Sequence, residues 1–549
     1  MEAWQSSWEW QRVSATGLPS NDVKNPSLAP IENQRIGSGF GSSAMASFFT
    51  RETYNYDDRY LFTYTYRYDG SSNFGPKNRW AGFHSFASSW RFTNENFWVW
   101  KEIINNGKLR LGWGQTGNSD IAAYSWGASI KGIPTGLGMG YRQGNIANPY
   151  IKWETQKQWN LGIDLSFIND RYNLTIDLYD KTSADMLMPL QLPSYMGTGG
   201  NPSSAMKAPN GNYGTINNKG LEISVETRNI VNYNNGFEWN TNFEISFNKN
   251  KLVALDGTAT AHIEGRPQWE DRGVPVTLTR IGESLYNFYG YVTDGYYKDL
   301  EDIQNSPKPA GSYPADGVSF NRANTVWVGD IKFKDLNDDG VIDENDRTNI
   351  GSPMPKFNFG INNTFRYKNF DMSIFINGTY GNKILNYTAI ELSSMSNAYN
   401  NQLQYVAKRA RLEPINPNIV YDGTNGVWNW FEDISNVRLA NNTKPSAPRA
   451  ASGDPNNNSR VSDRYIEDGS YLRIKNITFG YTVPNHLVRK YKLENIRVYM
   501  NIQNLYTFTK YSGYDPEIGA NPMTPNVYGM DYGRYPIPTI YSMGLNLSF

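Results

Sequence analysis

The stretch DLNDDGVIDEND, from Asp335 to Asp346, places oxygen donors at the positions a twelve-residue calcium loop uses. Asp335, Asn337 and Asp339 stand at positions one, three and five, and Gly340 stands at six, where the backbone must turn sharply. The Val341 carbonyl follows at seven, Asp343 at nine and Asp346 at twelve. Hard oxygen ligands at this spacing suit Ca²⁺, which takes about six to eight of them. Asp at position twelve reaches less far than Glu, and the preceding VWVGDIKFK alternates like a strand, so a loop after a strand is expected rather than a pair of helices. An ion held there would be structural, because the loop uses all its positions to shape itself. The competing reading is a solvated turn, since Asp-Gly and Asn-Asp are also turn formers.

Other chemistry-bearing groupings are weaker. RYIEDGSYLRIKN brings Glu467 and Asp468 together, residue types used in glycoside hydrolysis. Adjacent strand residues face opposite ways, so a turn into a strand at Asp468 and Gly469 is expected instead. GSGFGSSA, with Gly37, Gly39 and Gly41, lacks the parallel strand and following helix of a dinucleotide site. His84, His262 and His486 lie far apart and Cys is absent, which leaves zinc sites and Ser-His-Asp chemistry without support; no enzyme activity is expected. The aromatics Trp126, Trp269, Trp327, Trp428 and Trp430 have faces that stack on sugar rings, pack loops or meet a partner protein. Residues 389–412 are expected to form a helix in a loop.

The elements that must carry these loops are strands. Apolar and polar residues alternate at Tyr60 to Tyr68, Trp159 to Phe167, Tyr172 to Asp180, Leu221 to Thr227, Phe237 to Phe247, Phe357 to Tyr367, Phe370 to Tyr380, Ile477 to Val483, Ile496 to Tyr506 and in the terminal TIYSMGLNLSF. Weaker candidates lie at 43–53, 80–92 and 107–115, for about thirteen in all. Most strong segments are about nine to eleven residues long, the length a tilted strand needs to cross a bilayer. Short and long connections alternate along the chain, as in an outer-membrane barrel and unlike a sandwich. On that polarity the short turns and Phe549 are periplasmic, and Leu545, Leu547 and Met543 face lipid.

Composition agrees. There are 38 Tyr, 25 Phe and 16 Trp with 49 Gly; soluble cores can be Tyr-rich, but this mixture is also what a transmembrane β-barrel uses, with amphipathic rings at both bilayer interfaces. Lys plus Arg equals Asp plus Glu at 52 each, which gives no electrostatic footprint for nucleic acid. No apolar run is long enough for a membrane helix, and the N-terminus has no signal-peptide pattern.

Several blocks in order resemble the SusC/RagA family of TonB-dependent outer-membrane transporters of Bacteroidota: TRETYNYDDRYLFTYTYRYDGSSNFGPKNRW, LRLGWGQTGNSDI, WETQKQWNLGIDLSF, NKGLEISVETRNI, GDIKFKDLNDDGVIDENDRTNIGSPMPKF and SDRYIEDGSYLRIKNITFGYTVP. The resemblance covers nearly the whole chain. It implies an all-β antiparallel transmembrane barrel of about twenty-two strands, of which residues 1–549 would be the C-terminal thirteen. The plug, the TonB-contacting segment, the signal peptide and the first strands would be missing, with Met1 inside an extracellular loop. It further implies a SusD-like surface lipoprotein partner, energy coupling through TonB by way of the missing N-terminal part, and import of glycans or oligopeptides. The calcium-like motif would lie in a long extracellular loop, 248–356.

A soluble, calcium-dependent glycan-binding or adhesion β-protein is the alternative. Tyr64, Ile163, Ile176 and Leu545 discriminate: they line an outer apolar band in a barrel and converge on an interior core in a sandwich.

Overall fold

In a computed structural model of the protein, the described residues are 1–549 except 21, 191–193, 198–205, 232–235, 256–260, 268–273, 397–398, 419–429, 441–443, 492 and 520–525. The chain divides into two compact units: residues 1–221 with 251–259, and residues 222–250 with 260–549.

Fourteen long strands are present among the described residues. They are β1 (Glu2–Ala15), β2 (Gln34–Tyr56), β3 (Tyr60–Ser71), β4 (Trp80–Trp90), β5 (Ile104–Asn118), β6 (Glu154–Phe167), β7 (Tyr172–Pro189), β8 (Asn210–Val231), β9 (Phe237–Ala254), β10 (Phe357–Tyr367), β11 (Phe370–Tyr380), β12 (Tyr471–Thr482), β13 (Asn495–Thr509) and β14 (Ile540–Ser548). The expected thirteen therefore become fourteen, because the N-terminal segment expected in a loop is strand β1. Several strands outrun their alternating segments, β2 reaching 23 residues and β8 22. The long connection after β9 accordingly starts at 255 rather than 248.

In the first unit β1 to β7 pair in sequence order, all antiparallel. The pairing register turns the period-two alternation into rungs. Tyr64, Phe86, Trp113 and Trp159 lie side by side on β3 to β6, with successive ring centroids 4.9, 5.8 and 6.1 Å apart. One rung on, Leu111, Leu161 and Leu178 align, and then Leu109, Ile163 and Ile176. Cross-strand aromatic and aliphatic pairs of this kind each contribute about 0.2–1 kcal/mol. β1 joins this sheet in an unusual way: Trp8 lies opposite Gly41 and Trp10 opposite Gly39. A Cβ at Gly41 would stand 2.5 Å from the Trp8 ring, so the glycines of GSGFGSSA make room for indoles.

In the second unit β9 to β14 pair antiparallel in sequence order. One rung crosses all six strands: Trp239, Phe365, Met372, Phe479, Met500 and Met543. The outermost strands, β1 in the first unit and β14 in the second, each have one hydrogen-bonded neighbour among the described residues, and neither unit is a closed barrel.

These rungs are not a core. Among the described buried hydrophobic side chains, only Phe83, Ile216, Leu252 and Tyr471 lie on long strands. Leu161 is 50% exposed and Leu545 58% exposed. Of the discriminating positions, Tyr64, Ile163 and Ile176 are partly exposed as well. Buried apolar residues gather in the connections instead.

The expected alternation of connection lengths is only partly present. In the first unit the turns 57–59 and 168–171 are short and 119–153 and 190–209 long, but 91–103, at the end of the short turns, is longer than 72–79 at the other end; in the second, the two-residue turn 368–369 is followed by 381–470. Lys368 adopts the left-handed φ of 49° that so tight a hairpin demands.

Candidate functional site

Two regions carry polar chemistry: the second face of the long strands, and the connections of the second unit.

On the polar strand face of the first unit, the Arg110 guanidinium donates to Asp164 at 2.8 and 2.9 Å and to Asp177 at 3.0 Å. Lys108 adds an ion pair to Asp164 at 3.3 Å. Gly162 sits on the strand between Arg110 and Asp177, and a Cβ there would come within 2.6 Å of both side chains. The second unit repeats the device. Arg497 donates to Asp371 at 3.0 and 2.5 Å across Gly480, whose Cβ would stand 2.5 Å from the Asp371 carboxylate. Asp371 and Arg497 help line an open recess of about 590 Å³ beside the 368–369 turn, together with Glu238, Asn240, Arg366 and Ser373. The arrangement offers donors, acceptors and both charges along a wetted wall. It offers no nucleophile with an adjacent base.

The connections of the second unit fold around their own cores. Tyr297, Ile303, Val326, Trp327, Val328, Ile434 and Val437 form one cluster, and Phe288, Leu385, Tyr387, Ile390, Tyr465 and Met530 belong to another. A short strand, Lys383–Asn386, pairs with Ile466–Asp468 of its own connection on one side and with Met530–Asp531 of the 510–539 connection on the other, tying the two connections together. At the centre Asp330, wholly buried, accepts two hydrogen bonds from Arg449 at 2.8 and 3.1 Å, one from Asn458 at 3.1 Å and one from the Trp327 amide at 2.9 Å. Burial pushes the Asp330 carboxyl above its ordinary value, against the pull of Arg449. The Arg460 guanidinium lies over the rings of Tyr291 and Phe333, at 4.7 and 4.5 Å, and burial lowers its pKa. Buried Arg473 fastens the 510–539 connection to β12 by pairing with Asp515 at 2.5 Å and Glu517 at 2.6 Å.

The residues expected to hold calcium form a compact loop. Asp335 accepts the amide hydrogens of Asp338 and Gly340, both at 2.7 Å, and Gly340 has the left-handed φ of 80° that a sharp turn requires. Asn337 donates to Asp339 at 2.8 Å, and Asp339 accepts the Val341 amide at 2.9 Å. Val341–Ile342 pairs with Lys308–Pro309, and Asp343 caps the short turn 344–346. Buried Asp346 accepts from Leu336 and Asp343, both at 2.8 Å. The donor set is oxygen throughout, as a hard cation needs. Among the described residues, however, no three His, Cys, Asp or Glu side chains gather as a metal site, and these carboxylates are engaged by amides of their own loop.

Glu467 and Asp468 do separate as expected. Glu467 accepts from Asn386 and Ser512, each at 2.8 Å, while Asp468 accepts from Ser470 at 2.7 Å. Trp327 is wholly buried; Trp430 packs against the same cluster and Trp126 against that of Phe74 and Trp153. Trp269 and Trp428 lie outside the described residues. The helix expected over 389–412 is a short one, Tyr387–Ser393, followed by a 3-10 turn at Gln404–Lys408. Sequence reasoning missed the Asp330–Arg449 pair, whose members stand 119 residues apart.

Comparison with known proteins decides the family. Residues 2–505 match the family described as TonB dependent receptor-like, beta-barrel. The chain belongs to that family. Its relatives include TonB-dependent receptor P3 of Formosa agariphila, 35% identical over 98% of this chain and 49% of that protein. TonB-dependent receptor SusC of Bacteroides thetaiotaomicron is 26% identical over 92% of this chain and 44% of that protein. Among solved structures, the RagAB peptide transporter superposes with a TM-score of 0.73 at 21% identity, covering 99% of this chain and 52% of the matched chain. The SusC/RagA resemblance read from the sequence therefore holds, and the chain spans about half the length of the curated relatives it matches.

Proposed function

We propose that this chain supplies part of the wall and the surface loops of an outer-membrane importer. The wall belongs to a larger barrel of about twenty-two strands, with the short turns and Phe549 on the periplasmic side and the long connections outside. The observation that carries this reading is the division of the long strands into a largely exposed apolar face, rung by rung, and an ionic opposite face. A sheet whose apolar face has no apolar layer over it among the described residues requires another nonpolar solvent, and acyl chains are one. The soluble sandwich alternative needs Ile163 and Leu545 in an interior, and Leu545 is exposed.

Cargo is a glycan or an oligopeptide, bound and passed on rather than chemically altered, with a SusD-like lipoprotein over the loops and energy from TonB. Support comes from the family and from SusC and RagAB among the similar proteins. The test is uptake of labelled oligosaccharides and oligopeptides by cells making the full-length protein. Import of one class that is abolished by an uncoupler is expected. Soluble protein that binds glycan only with calcium would replace this reading by the alternative.

The 335–346 loop takes Ca²⁺ in a structural role, ordering the connection around it. Chelation is expected to speed proteolysis between residues 325 and 350 and to leave the strands intact. Equal cleavage with and without chelator would count against an ion there.

A further inference from the structure

The connection between β4 and β5, residues 91–103, differs from its neighbours. The shorter connections at the same end of these antiparallel strands are mostly polar, Asp57-Asp58-Arg59 and Ile168-Asn169-Asp170-Arg171, with Ile168 their one exposed apolar side chain. This one is RFTNENFWVWKEI, and its large apolar residues are held outward: Phe97 is 64% exposed, Val99 75%, Trp100 60% and Ile103 59%. Flexibility does not explain the exposure, because the segment is pinned. Glu95 accepts hydrogen bonds from Tyr60 at 2.6 Å, Trp90 at 3.1 Å and Arg59 at 3.3 Å. Thr93 accepts the Gly107 amide at 3.1 Å, and the Trp98 indole donates to the Ile104 carbonyl at 3.2 Å.

The platform also continues the apolar strand face. Trp90 shares a rung with Tyr60 and Leu109, its ring lies 6.3 Å from Phe97, and Phe92, Trp98 and Trp100 follow at 4.9 and 5.3 Å. Ile104 pairs with Phe167 on the same face. Lys101 and Glu102, both exposed, follow Trp100.

We propose that residues 91–103 are a membrane-interface anchor, lying among the phospholipid headgroups of the leaflet nearest the short turns. Indole rings favour that zone because one edge is polar and the faces are not, and a lysine beside them meets lipid phosphate. A rigid platform at this depth fixes how far the wall sinks into the bilayer. The inference rests on the apolar face meeting lipid.

The chain contains no Cys, so one introduced Cys is its single site for a nitroxide label, and any Cys elsewhere in the full-length protein is first replaced by Ser. Labels at Val99→Cys, Ile163→Cys and Asp58→Cys are compared in the full-length protein in phospholipid vesicles, by collision with oxygen and with a water-soluble nickel chelate. The oxygen-to-nickel ratio at position 99 is expected to lie severalfold above that at 58 and below that at 163. A ratio at 99 equal to that at 58, with 163 lipid-like, overturns the anchor and leaves the wall intact. Shielding of 99 from both reagents indicates a protein partner and also overturns it. A water-like ratio at 163 overturns the wall reading and the anchor together.

Discussion

Leu161 and Trp327 are both large and apolar, yet Leu161 stands half exposed on a long strand and Trp327 is wholly buried beneath the connections. The strands keep their order through hydrogen-bonded ladders, cross-strand rungs and Arg–Asp pairs, with hardly any buried hydrophobic residue of their own. The connections of the second unit behave like a small water-soluble domain, with apolar clusters and a buried ion pair. Burial of nonpolar surface therefore stabilises the loops from within, whereas the strands need a nonpolar medium outside them.

The contrast can be broken at either region. Arg449→Ala leaves Asp330 buried without its charge partner and is expected to destabilise the loop assembly by about 3–5 kcal/mol. Hydrogen exchange should rise around 326–331 and 447–458 and stay unchanged in β12 and β13. Ile163→Arg puts a charge at the middle of the apolar face and is expected to cost about 2–4 kcal/mol of folding stability in a bilayer, while Asn160→Arg, on the polar face, costs far less. Unfolding titrations in vesicles measure both. The smallest effect should come from Gly162→Ala and Gly480→Ala. Each forces an Arg–Asp pair apart through flexible side-chain ends, which is worth about 0.2–1 kcal/mol for a partly exposed pair. Similar losses in the two variants would show that the two Arg–Asp pairs do the same work, although Arg110 lies opposite its glycine and Arg497 two residues along from the position opposite Gly480.

Much of the wall was legible because a strand's alternation is local. Phe357 to Tyr367 and Phe370 to Tyr380 were bounded to the residue. β1 was missed because its Trp8 and Trp10 match Gly41 and Gly39 of another strand, a pattern visible only when the two are read side by side. The strand extensions lie beyond the apolar stretch, where alternation fades while pairing continues. The loop cores were not legible: Asp330 meets Arg449, and Leu385 meets Met530, across separations for which a single sequence carries no periodic signal. The calcium-like loop was legible as a turn, with Gly340 where the backbone needs it, while the gathering of ligands around an ion depends on the ion itself.

The central claim is that one face of each long strand meets lipid and the other water. Single Cys substitutions from 159 to 167 in β6, treated in intact outer membranes with a membrane-impermeant maleimide small enough to enter the lumen, test it most directly. The account predicts that 160, 164 and 166 react and that 159, 161, 163, 165 and 167 do not; Gly162, buried between Arg110 and Asp177, is left unsubstituted. Uniform reactivity along the strand, or reaction confined to the odd positions, would contradict it.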